Sequence, residues 1–448
     1  MPLAAIAFAL SYLGGLLLAF VSHPRWGLFT YLGAFYLHPP YRWWGTALPE
    51  FRWSLVAAVV TALSMSGAKL PPNVKPWSSH TLSKIVMLYV LYMWIQTAWA
   101  NPRHLEGVIL LTKYVVMFYV IYRLITDQKG LVDFALAHVA GCLYFGILAL
   151  EARGGGRLEY IGGPGANDSN TLGMHMSTGL IFAASLIISQ RGWKRWAVLA
   201  AVPFMANCVV QAQSRGAFLG AAVGGMVYFF MAPKAYRKYF VMLGLVGVMV
   251  LAARAPAEFW ERMGTIKTSH DETKIDHSAE SRLVLARAQL QMFLEHPMGL
   301  GFDTTSYLSR NYLAVEWLTA MPGVDVATHG VRGSHNTVLT VLVDQGVPGI
   351  TLLFIGLVSV AGTMMRLKRL PANGPNATLA LMNAAICGSL VVVAVSGLFT
   401  NYLKAEVQLW LIALLVASSE MVRLADRAPA LESQRPAELE PSPLHRLN

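Results

Sequence analysis

The sequence is poor in charged residues. Asp, Glu, Lys and Arg make up 13% of its 448 residues, whereas apolar residues make up 55%. A water-soluble fold of this length needs far more polar surface, so the composition excludes an ordinary soluble globular protein. Cysteine is also scarce, and Cys142, Cys208 and Cys387 all lie inside apolar runs without a CxxC pair. The sequence therefore predicts neither a disulfide framework nor a cysteine metal site.

Motifs for nucleotide binding and for serine hydrolases are absent as well. The chain contains no P-loop and no GxSxG nucleophile elbow. The stretch "GGPGAND" (162–168) lacks the strand, turn and helix that surround a dinucleotide fingerprint. We therefore predict no nucleotide partner, and any reaction must use a substrate that is already activated.

Long apolar runs recur along the chain, and most have the about 17 to 20 residues that a helix needs to cross a membrane. The first run has no basic segment before it and no cleavage site after it, so we interpret it as a retained membrane anchor. The predicted fold is an all-α polytopic membrane protein with about twelve transmembrane helices, between eleven and thirteen. The runs cover 3–20, 27–37, 53–66, 82–98, 107–125, 131–150, 171–189, 195–212, 215–232, 239–253, 338–364, 377–398 and 405–421.

One run, 27–37, is too short to cross a membrane unaided. It is followed by "YLHPPYRWWG" (36–45), in which two prolines and several aromatic residues favour an irregular turn at the membrane surface.

The net charge of +11 indicates topology rather than a nucleic-acid partner. Three short breaks between apolar runs, 191–196, 233–238 and 366–370, carry Lys and Arg without acids, and the positive-inside rule places them in the cytoplasm. In 254–334, by contrast, ten Asp and Glu outnumber eight Lys and Arg. We predict that this segment lies on the opposite, periplasmic side and that the chain binds no nucleic acid.

Four parts follow from this pattern: N-terminal transmembrane helices (1–253), a large periplasmic loop (254–334), C-terminal transmembrane helices (335–421) and a disordered, Pro-rich cytoplasmic tail (422–448). A loop of this length is usually functional. Within it, "AESRLVLARAQLQMFLEHP" predicts an amphipathic helix that ends before Pro297, and "DTTSYLSRNYLAVEWL" predicts a weaker one.

Three residues at the ends of apolar or helical segments can carry chemistry. Arg215 opens an apolar helix, Arg282 opens the predicted loop helix, and His335 stands where the loop re-enters the membrane. Arginine matches phosphate and pyrophosphate bidentately, and histidine can accept a proton from an alcohol near neutral pH.

Each of these residues also has an ordinary interpretation. Arg215 can reach lipid headgroups, and Arg282 can be a solvated helix residue. His335 can be the incidental neighbour of a helix N-cap formed by Ser334 or Asn336. The residues alone leave both interpretations open.

A metal site at His335 would need further ligands such as His329, Asp325 or Asp303. Their spacings match no compact ligand motif, so the sequence predicts no metal.

Three weaker candidates lie nearer the N-terminus. Lys113 stands close to the outer end of its apolar run, where it can extend to the surface or face a lipid-phosphate cleft. Asp168 and Asn170 precede an apolar run, where N-capping is at least as good an explanation as substrate contact.

Taken in order, these features resemble the bacterial lipopolysaccharide O-antigen ligase family, which shares a superfamily with O-antigen polymerases and protein O-oligosaccharide ligases. The similar pieces are "QSRGAFLG", "ESRLVLARAQLQMFLEHPMGLGFDT", whose "PMGLG" resembles the family's P-x-x-G-x-G segment, and "SHNTVLTVLVDQGVPG". The stretch "FYLHPPYRWWG" also resembles exosortase-associated O-glycosylation ligases.

The resemblance implies a cofactor-free, metal-independent, inverting transfer of O-antigen polysaccharide from undecaprenyl pyrophosphate to a hydroxyl of lipid A-core. The reaction would take place among membrane lipids, on the periplasmic side of the bacterial inner membrane. Arg215 and Arg282 would hold the pyrophosphate, and His335 would act as general base. The resemblance implies further substrate contacts by Arg332, Asn336, Lys113, Asp168 and Asn170.

Three alternatives remain open at this point. An O-antigen polymerase or a protein O-oligosaccharide ligase would use the same lipid-linked donor. A transporter of lipid-linked sugars would need charges deep in the spans and inverted repeats. Lys113 and Asp344 are the plausible deep charges, and the sequence shows no evident repeat.

Overall fold

The computed structural model describes residues 1–66, 74–152, 158–163, 165–254, 260, 277–319, 325–370, 374 and 376–433. These residues form helices joined by turns and no β-strand, apart from one isolated bridge between Thr319 and Val331. The predicted all-α class is therefore confirmed over the described part of the chain.

The first ten helices follow the predicted apolar runs. They are α1 Leu3–Val21, α2 Arg25–Leu37, α3 Trp53–Ser64, α4 Thr81–Gln96, α5 His104–Leu124, α6 Gln128–Glu151, α7 Ser169–Ser189, α8 Trp193–Ala212, α9 Arg215–Met231 and α10 Arg237–Arg254.

Six more helices make up the remainder of the described chain, three in the predicted loop and three after it. They are α11 His277–Glu295, α12 Thr304–Tyr312, the short α13 Val326–His329, α14 Thr337–Leu367, α15 Asn376–Ser396 and α16 Val407–Ser433.

Eight of the described helices are long and apolar enough to cross a membrane: α1, α5, α6, α7, α8, α14, α15 and residues Val407–Asp426 of α16. Helices α3, α4 and α9 are apolar but shorter. The helices thus have the character of a membrane protein. The total of about twelve crossings and the periplasmic position of the loop stay predictions.

The segment after α2 is irregular, as its prolines predict. His38 adopts a left-handed backbone with φ of 38°, and two single turns of 3₁₀-helix follow at Pro39–Tyr41 and Gly45–Ala47. Arg42 is buried and holds the segment together, since its Nε donates to the carbonyl oxygen of Leu37 (2.8 Å) and its Nη1 to that of Ile161 (2.8 Å).

Both predicted loop helices are present, but the first begins earlier than expected. Helix α11 starts at His277, so Arg282 lies in its second turn and does not open it. The apolar face of α11 packs through Leu285 and Met292 into a small core with Leu313 and Val343. This core seats the loop helices on α14.

The boundary at residue 422 is also corrected. Helix α16 runs on to Ser433, so 422–433 are helical rather than disordered. Residues 434–448 of the predicted tail lie outside the described residues.

Two glycine-rich stretches dock onto each other, and we call residues 297–301 the glycine turn. Gly346 interrupts α14 with a non-helical backbone (φ 62°, ψ −154°), and there the N–H of Val347 donates to the carbonyl oxygen of Pro297 (2.8 Å). Gly299 has φ of 71°, and a Cβ atom on it would lie 2.3 Å from the carbonyl oxygen of Asp344. Only glycine fits such a position without displacing the backbone.

Asp344 fastens the glycine turn to the next helix. Its carboxylate accepts hydrogen bonds from the backbone N–H groups of Asp303 (3.1 Å) and Thr304 (3.0 Å), at the start of α12. Gln96 at the end of α4 donates to the Asp344 carbonyl oxygen (2.8 Å). This deep carboxylate therefore satisfies backbone donors, which is a structural role.

Candidate functional site

The turn at residues 397–400, after α15, anchors the start of α14. The Thr337 N–H donates to the carbonyl oxygen of Gly397 (2.7 Å), and its hydroxyl donates to that of Thr400 (2.8 Å). Asn336 donates from Nδ2 to the carbonyl oxygen of Leu398 (3.1 Å). His335, the residue before Asn336, is consequently held beside this turn.

The ring of Phe399 in the same turn lies between two further elements. The Arg282 guanidinium stands over the ring at 6.0 Å from its centre. Gly216 packs so closely that an added Cβ would lie 2.7 Å from the Cβ of Phe399. The start of α9, with Arg215, and the second turn of α11, with Arg282, thus meet at one residue.

The local sequence explains why Arg215 begins a helix at this place. Ser214 is buried and is the N-cap of α9, where its hydroxyl accepts from the Ala217 N–H (3.1 Å). The same hydroxyl donates to Oδ1 of Asn170 (2.8 Å), and the Tyr402 hydroxyl donates to the Asn170 carbonyl oxygen (3.0 Å). Asn170 therefore joins the starts of α7 and α9.

Arg332 contacts Ser281, the residue that precedes Arg282 on α11. Its Nη2 donates to the hydroxyl of Ser281 (3.4 Å), and its backbone N–H donates to the hydroxyl of Ser309 (2.9 Å) on α12. The Arg332 side chain thus reaches α11 at the residue that precedes Arg282.

The residues around His335 are fixed by a small polar network. Asn336 is the N-cap of α14, since its Oδ1 accepts from the Leu339 N–H (3.0 Å). Ser334 accepts from Nε2 of the buried Gln289 (2.9 Å) and from the hydroxyl of Thr340 (2.7 Å). Of the two predicted caps, Asn336 caps the helix and Ser334 ties the segment to α11.

Arg215, Arg282, Arg332 and His335 are all half-buried. The Arg282 guanidinium lies at the turn 397–400, the helix start that bears Arg215 packs on the same turn, and Arg332 contacts the residue before Arg282, so positive charge is concentrated in this region. Half-buried arginines of this kind suit a ligand with several anionic oxygens, such as a pyrophosphate.

A cavity of about 810 Å³ begins at Asn401, directly after this turn. Its walls come from α2, α3, α5, the start of α7 and the segment 401–406. Its charged lining groups are Lys113, Asp168, Lys404 and Glu406, and most of its other walls are apolar side chains such as Leu55, Val59, Leu63, Val116 and Met117. Lys113 and Asp168, which are far apart in sequence, therefore share one cavity.

Asp168 at the rim of this cavity is also a helix cap. It is the N-cap of α7, and its Oδ1 accepts from the N–H groups of Asn170 (3.0 Å) and Thr171 (3.1 Å). The capping role weighed from the sequence is therefore present, whereas Lys113 is exposed on α5.

Several residues of the site were missed in the sequence. Lys404 stands over the ring of Phe302 at 4.9 Å, and the buried Glu406 accepts hydrogen bonds from Trp410 Nε1 (2.9 Å) and the Tyr31 hydroxyl. Lys404 lies in the short break between the last two apolar runs and Glu406 at the start of the last run, where their charge was a usable signal. Phe399 gives no such signal, because an aromatic residue beside a membrane span is commonplace.

His38 is another missed member of the cavity wall. Burial, together with the nearby Arg42 guanidinium, lowers the pKa of His38 to about 4. Its imidazole is consequently neutral at physiological pH.

Over the described residues, no group of three or more His, Cys, Asp or Glu side chains is arranged to hold a metal ion. The metal independence expected from the resemblance stays a prediction.

The apolar helices give the chain the character of a membrane protein, and several arginines lie near the turn at 397–400. Residues 200–354 match the family model Wzy_C, described as O-antigen ligase. This match confirms the predicted family resemblance and contains Arg215, Arg282, Arg332, His335 and the glycine turn. The family indicates a glycosyl-transfer role of the ligase or polymerase type. No curated protein matches the chain.

Proposed function

We propose that the chain transfers O-antigen polysaccharide from undecaprenyl pyrophosphate to a hydroxyl of lipid A-core, on the periplasmic face of the bacterial inner membrane. The observation that carries the proposal is the turn at 397–400. It contacts Arg282 through Phe399, the helix start that bears Arg215, and the N-cap beside His335. These contacts support the assignment of Arg215 and Arg282 as the phosphate-binding side chains and of His335 as the proton acceptor.

The proposed step exchanges one glycosidic bond for another. An imidazole nitrogen of His335 accepts the proton of the acceptor hydroxyl, and that oxygen attacks the anomeric carbon of the donor glycan. The bond from this carbon to the pyrophosphate oxygen breaks, and undecaprenyl pyrophosphate leaves with the bonding electrons. Attack opposite the leaving group inverts the configuration at the anomeric carbon.

Arg215 and Arg282 stabilise the negative charge that grows on the leaving pyrophosphate, which is where preorganised cations contribute most to a rate. Arg332, placed beside Arg282 through Ser281, would complete this group of cations. Because the pyrophosphate is already a good leaving group, the remaining task of the protein is to position and deprotonate the acceptor.

The neighbouring cavity suits the lipid parts of the substrates. Its apolar walls on α3 and α5 can take a hydrocarbon chain, while Lys113 and Lys404 offer positive charge at the level of a phosphate. Arg282 stands over Phe399, and Asn401, two residues further on, lines the cavity, so a bound lipid would extend from the arginine toward the cavity.

The test uses purified protein in liposomes with a lipid-linked glycan, EDTA, and one of three acceptors: lipid A-core, a protein, or a second lipid-linked glycan. We expect product on lipid A-core. His335→Gln and Arg282→Ala should each lower the rate by about 100-fold or more, which is typical for a lost general base or a lost charge-stabilising group.

Arg287→Ala is the matched control, because Arg287 is exposed on the same helix as Arg282. It should retain the parent rate. Growth of the lipid-linked glycan without transfer to lipid A-core would identify a polymerase instead, and transfer to the protein would identify a protein ligase. An unchanged rate in His335→Gln would reject the general-base role.

A further inference from the structure

A second polar pocket lies at the far end of the helices that carry the candidate site. The candidate site is at the start of α9, the start of α14 and the end of α15. The second pocket, of about 210 Å³, is formed by the end of α9, the end of α14 and the first two turns of α15. Helix α9 alone, with 17 residues, separates the two by about 26 Å at 1.5 Å per residue.

The charged lining of this pocket comes from two of the basic breaks. Lys234 and Arg237 belong to 233–238, and Lys368 belongs to 366–370. Arg237 donates to the carbonyl oxygens of Phe230 (2.9 Å) and Ala232 (3.2 Å), so it caps the end of α9. Lys234 and Lys368 are exposed, and neither has an ion-pair partner among the described residues.

The inner end of the pocket contains an unsatisfied amide. Asn383 on α15 is 2% exposed and lines the pocket, and among the described residues neither its Nδ2 nor its Oδ1 has a hydrogen-bond partner. Buried amides in proteins are almost always hydrogen bonded. An amide that offers both a donor and an acceptor beneath two lysines suits a ligand with phosphate oxygens and a hydroxyl group.

We propose that this pocket binds the headgroup of an anionic phospholipid such as phosphatidylglycerol. Lys234 and Lys368 contact the phosphate, and Asn383 contacts the glycerol hydroxyl and a phosphate oxygen. Leu367 and Leu370 beside them take the first part of an acyl chain. The positive-inside rule places this end of the helices at the cytoplasmic leaflet, where basic pockets between helices recognise such headgroups.

Binding at this place should stabilise the packing of α9 against α15. The two helices approach closely along small residues, since a Cβ on Gly224 would lie 2.6 Å from the carbonyl oxygen of Gly388. A lipid that contacts both Lys234, just after α9, and Asn383 on α15 would link these two helices at the end where the pocket lies. The proposal does not depend on the transfer reaction.

The experiment measures thermal unfolding of the full chain in a neutral detergent and counts bound lipids by native mass spectrometry. Phosphatidylglycerol, phosphatidylcholine and inorganic phosphate are added separately. We expect phosphatidylglycerol to raise Tm, phosphatidylcholine to have little effect, and the rise to shrink at high salt.

Two variants test the contacts. Lys234→Gln with Lys368→Gln should weaken phosphatidylglycerol binding by about tenfold or more. Asn383→Leu should weaken it too, while leaving the lipid-free protein as stable as the parent or more so, because it replaces an unsatisfied amide with an apolar group of similar size. That combination separates a lipid contact from a structural role.

The control is Lys238→Gln with Arg369→Gln, which removes the same charge from the same two breaks at residues that do not line the pocket. It should keep the phosphatidylglycerol effect. The proposal would be overturned if the control lost as much phosphatidylglycerol binding as the test variant. It would also be overturned if phosphatidylcholine, or inorganic phosphate alone, raised Tm as much as phosphatidylglycerol does.

Discussion

Phe399 shows how an apolar side chain can organise a polar site. Its ring supports the Arg282 guanidinium on one side and packs on Gly216, next to Arg215, on the other. The negative face of an aromatic ring attracts a guanidinium and fixes its plane. A residue that carries no charge thus supports the Arg282 guanidinium and packs against the helix start that bears Arg215.

Phe399→Leu should therefore lower kcat with little change in Tm. Leucine keeps the apolar packing on Gly216 but offers no ring face, and a cation–π contact of about 0.5–2 kcal/mol corresponds to about a 2- to 30-fold change in rate. Phe399→Tyr retains the ring and should restore the parent rate. The measurements are steady-state transfer and thermal unfolding of both variants. A normal kcat in Phe399→Leu would show that the ring has no positioning role.

His38 predicts a specific dependence of stability on pH. Burial and Arg42 lower its pKa in the folded protein to about 4, whereas the ordinary value is 6.5. As pH falls from 6.5 toward 4, the unfolded chain binds a proton at this residue and the folded protein does not, so the free energy of unfolding decreases. Stability from this group is complete above pH 6.5 and is lost through that window.

The comparison variant is His38→Asn, since asparagine tolerates the left-handed backbone at this position. Thermal unfolding between pH 4 and 7.5 should show a smaller decrease in Tm for His38→Asn than for the parent. Parallel pH curves for the two proteins would mean that His38 does not titrate in the unfolding reaction.

Among the elements, α14 is the one that links the membrane to the predicted loop. Its start holds Asn336, its kink at Gly346 receives the glycine turn, and Asp344 binds the start of α12. The glycine turn and the kink at Gly346, which are separate glycine motifs in the sequence, therefore pack against each other, and we call this contact the joint.

Gly299→Ala should destabilise this joint. A methyl group there would lie 2.3 Å from the Asp344 carbonyl oxygen, and the residue also has a positive φ, so we expect a loss of at least about 2 kcal/mol. Gly333→Ala is the control, since its Cβ would meet only a serine hydroxyl at 3.7 Å. Thermal unfolding compares the two, and an equal Tm for both would contradict the docking of the turn.

Apolar patterning predicted the helices well, because burial in lipid or protein demands long apolar runs. The ends of helices were harder to predict than their existence. Helix α11 starts five residues before Arg282, and α16 continues past 421 to Ser433, since neither polar end carries an apolar pattern. The arginines and His335 were recognisable as polar groups at such ends. The contacts at Phe399 depend on how α9, α11 and α15 pack, which no local pattern encodes.

The whole molecule has two chemically different ends. One gathers Arg215, Arg282 and His335 around 397–400, and the other gathers the basic breaks that contain Lys234 and Lys368. The positive-inside rule predicts that these ends lie on opposite sides of the membrane.

Cysteine labelling tests this arrangement. The natural Cys142, Cys208 and Cys387 are all buried, so the parent should react little with a membrane-impermeant maleimide. In intact cells with a permeable outer membrane, Glu316→Cys should be labelled and Arg369→Cys should not, because both positions are exposed but lie at opposite ends. Both should react after the inner membrane is opened. If Arg369→Cys alone were labelled in intact cells, the chain would have the opposite orientation in the membrane.

The glycine turn also sets an order of assembly during biosynthesis. Its partners are Asn101, which donates to the carbonyl oxygen of Leu300 (2.7 Å), and α14, whose kink is made more than forty residues after the turn. A nascent chain cannot close this joint until α14 has been synthesised. The packing of α11 and the glycine turn on α14 therefore forms late, after most of the chain has been made.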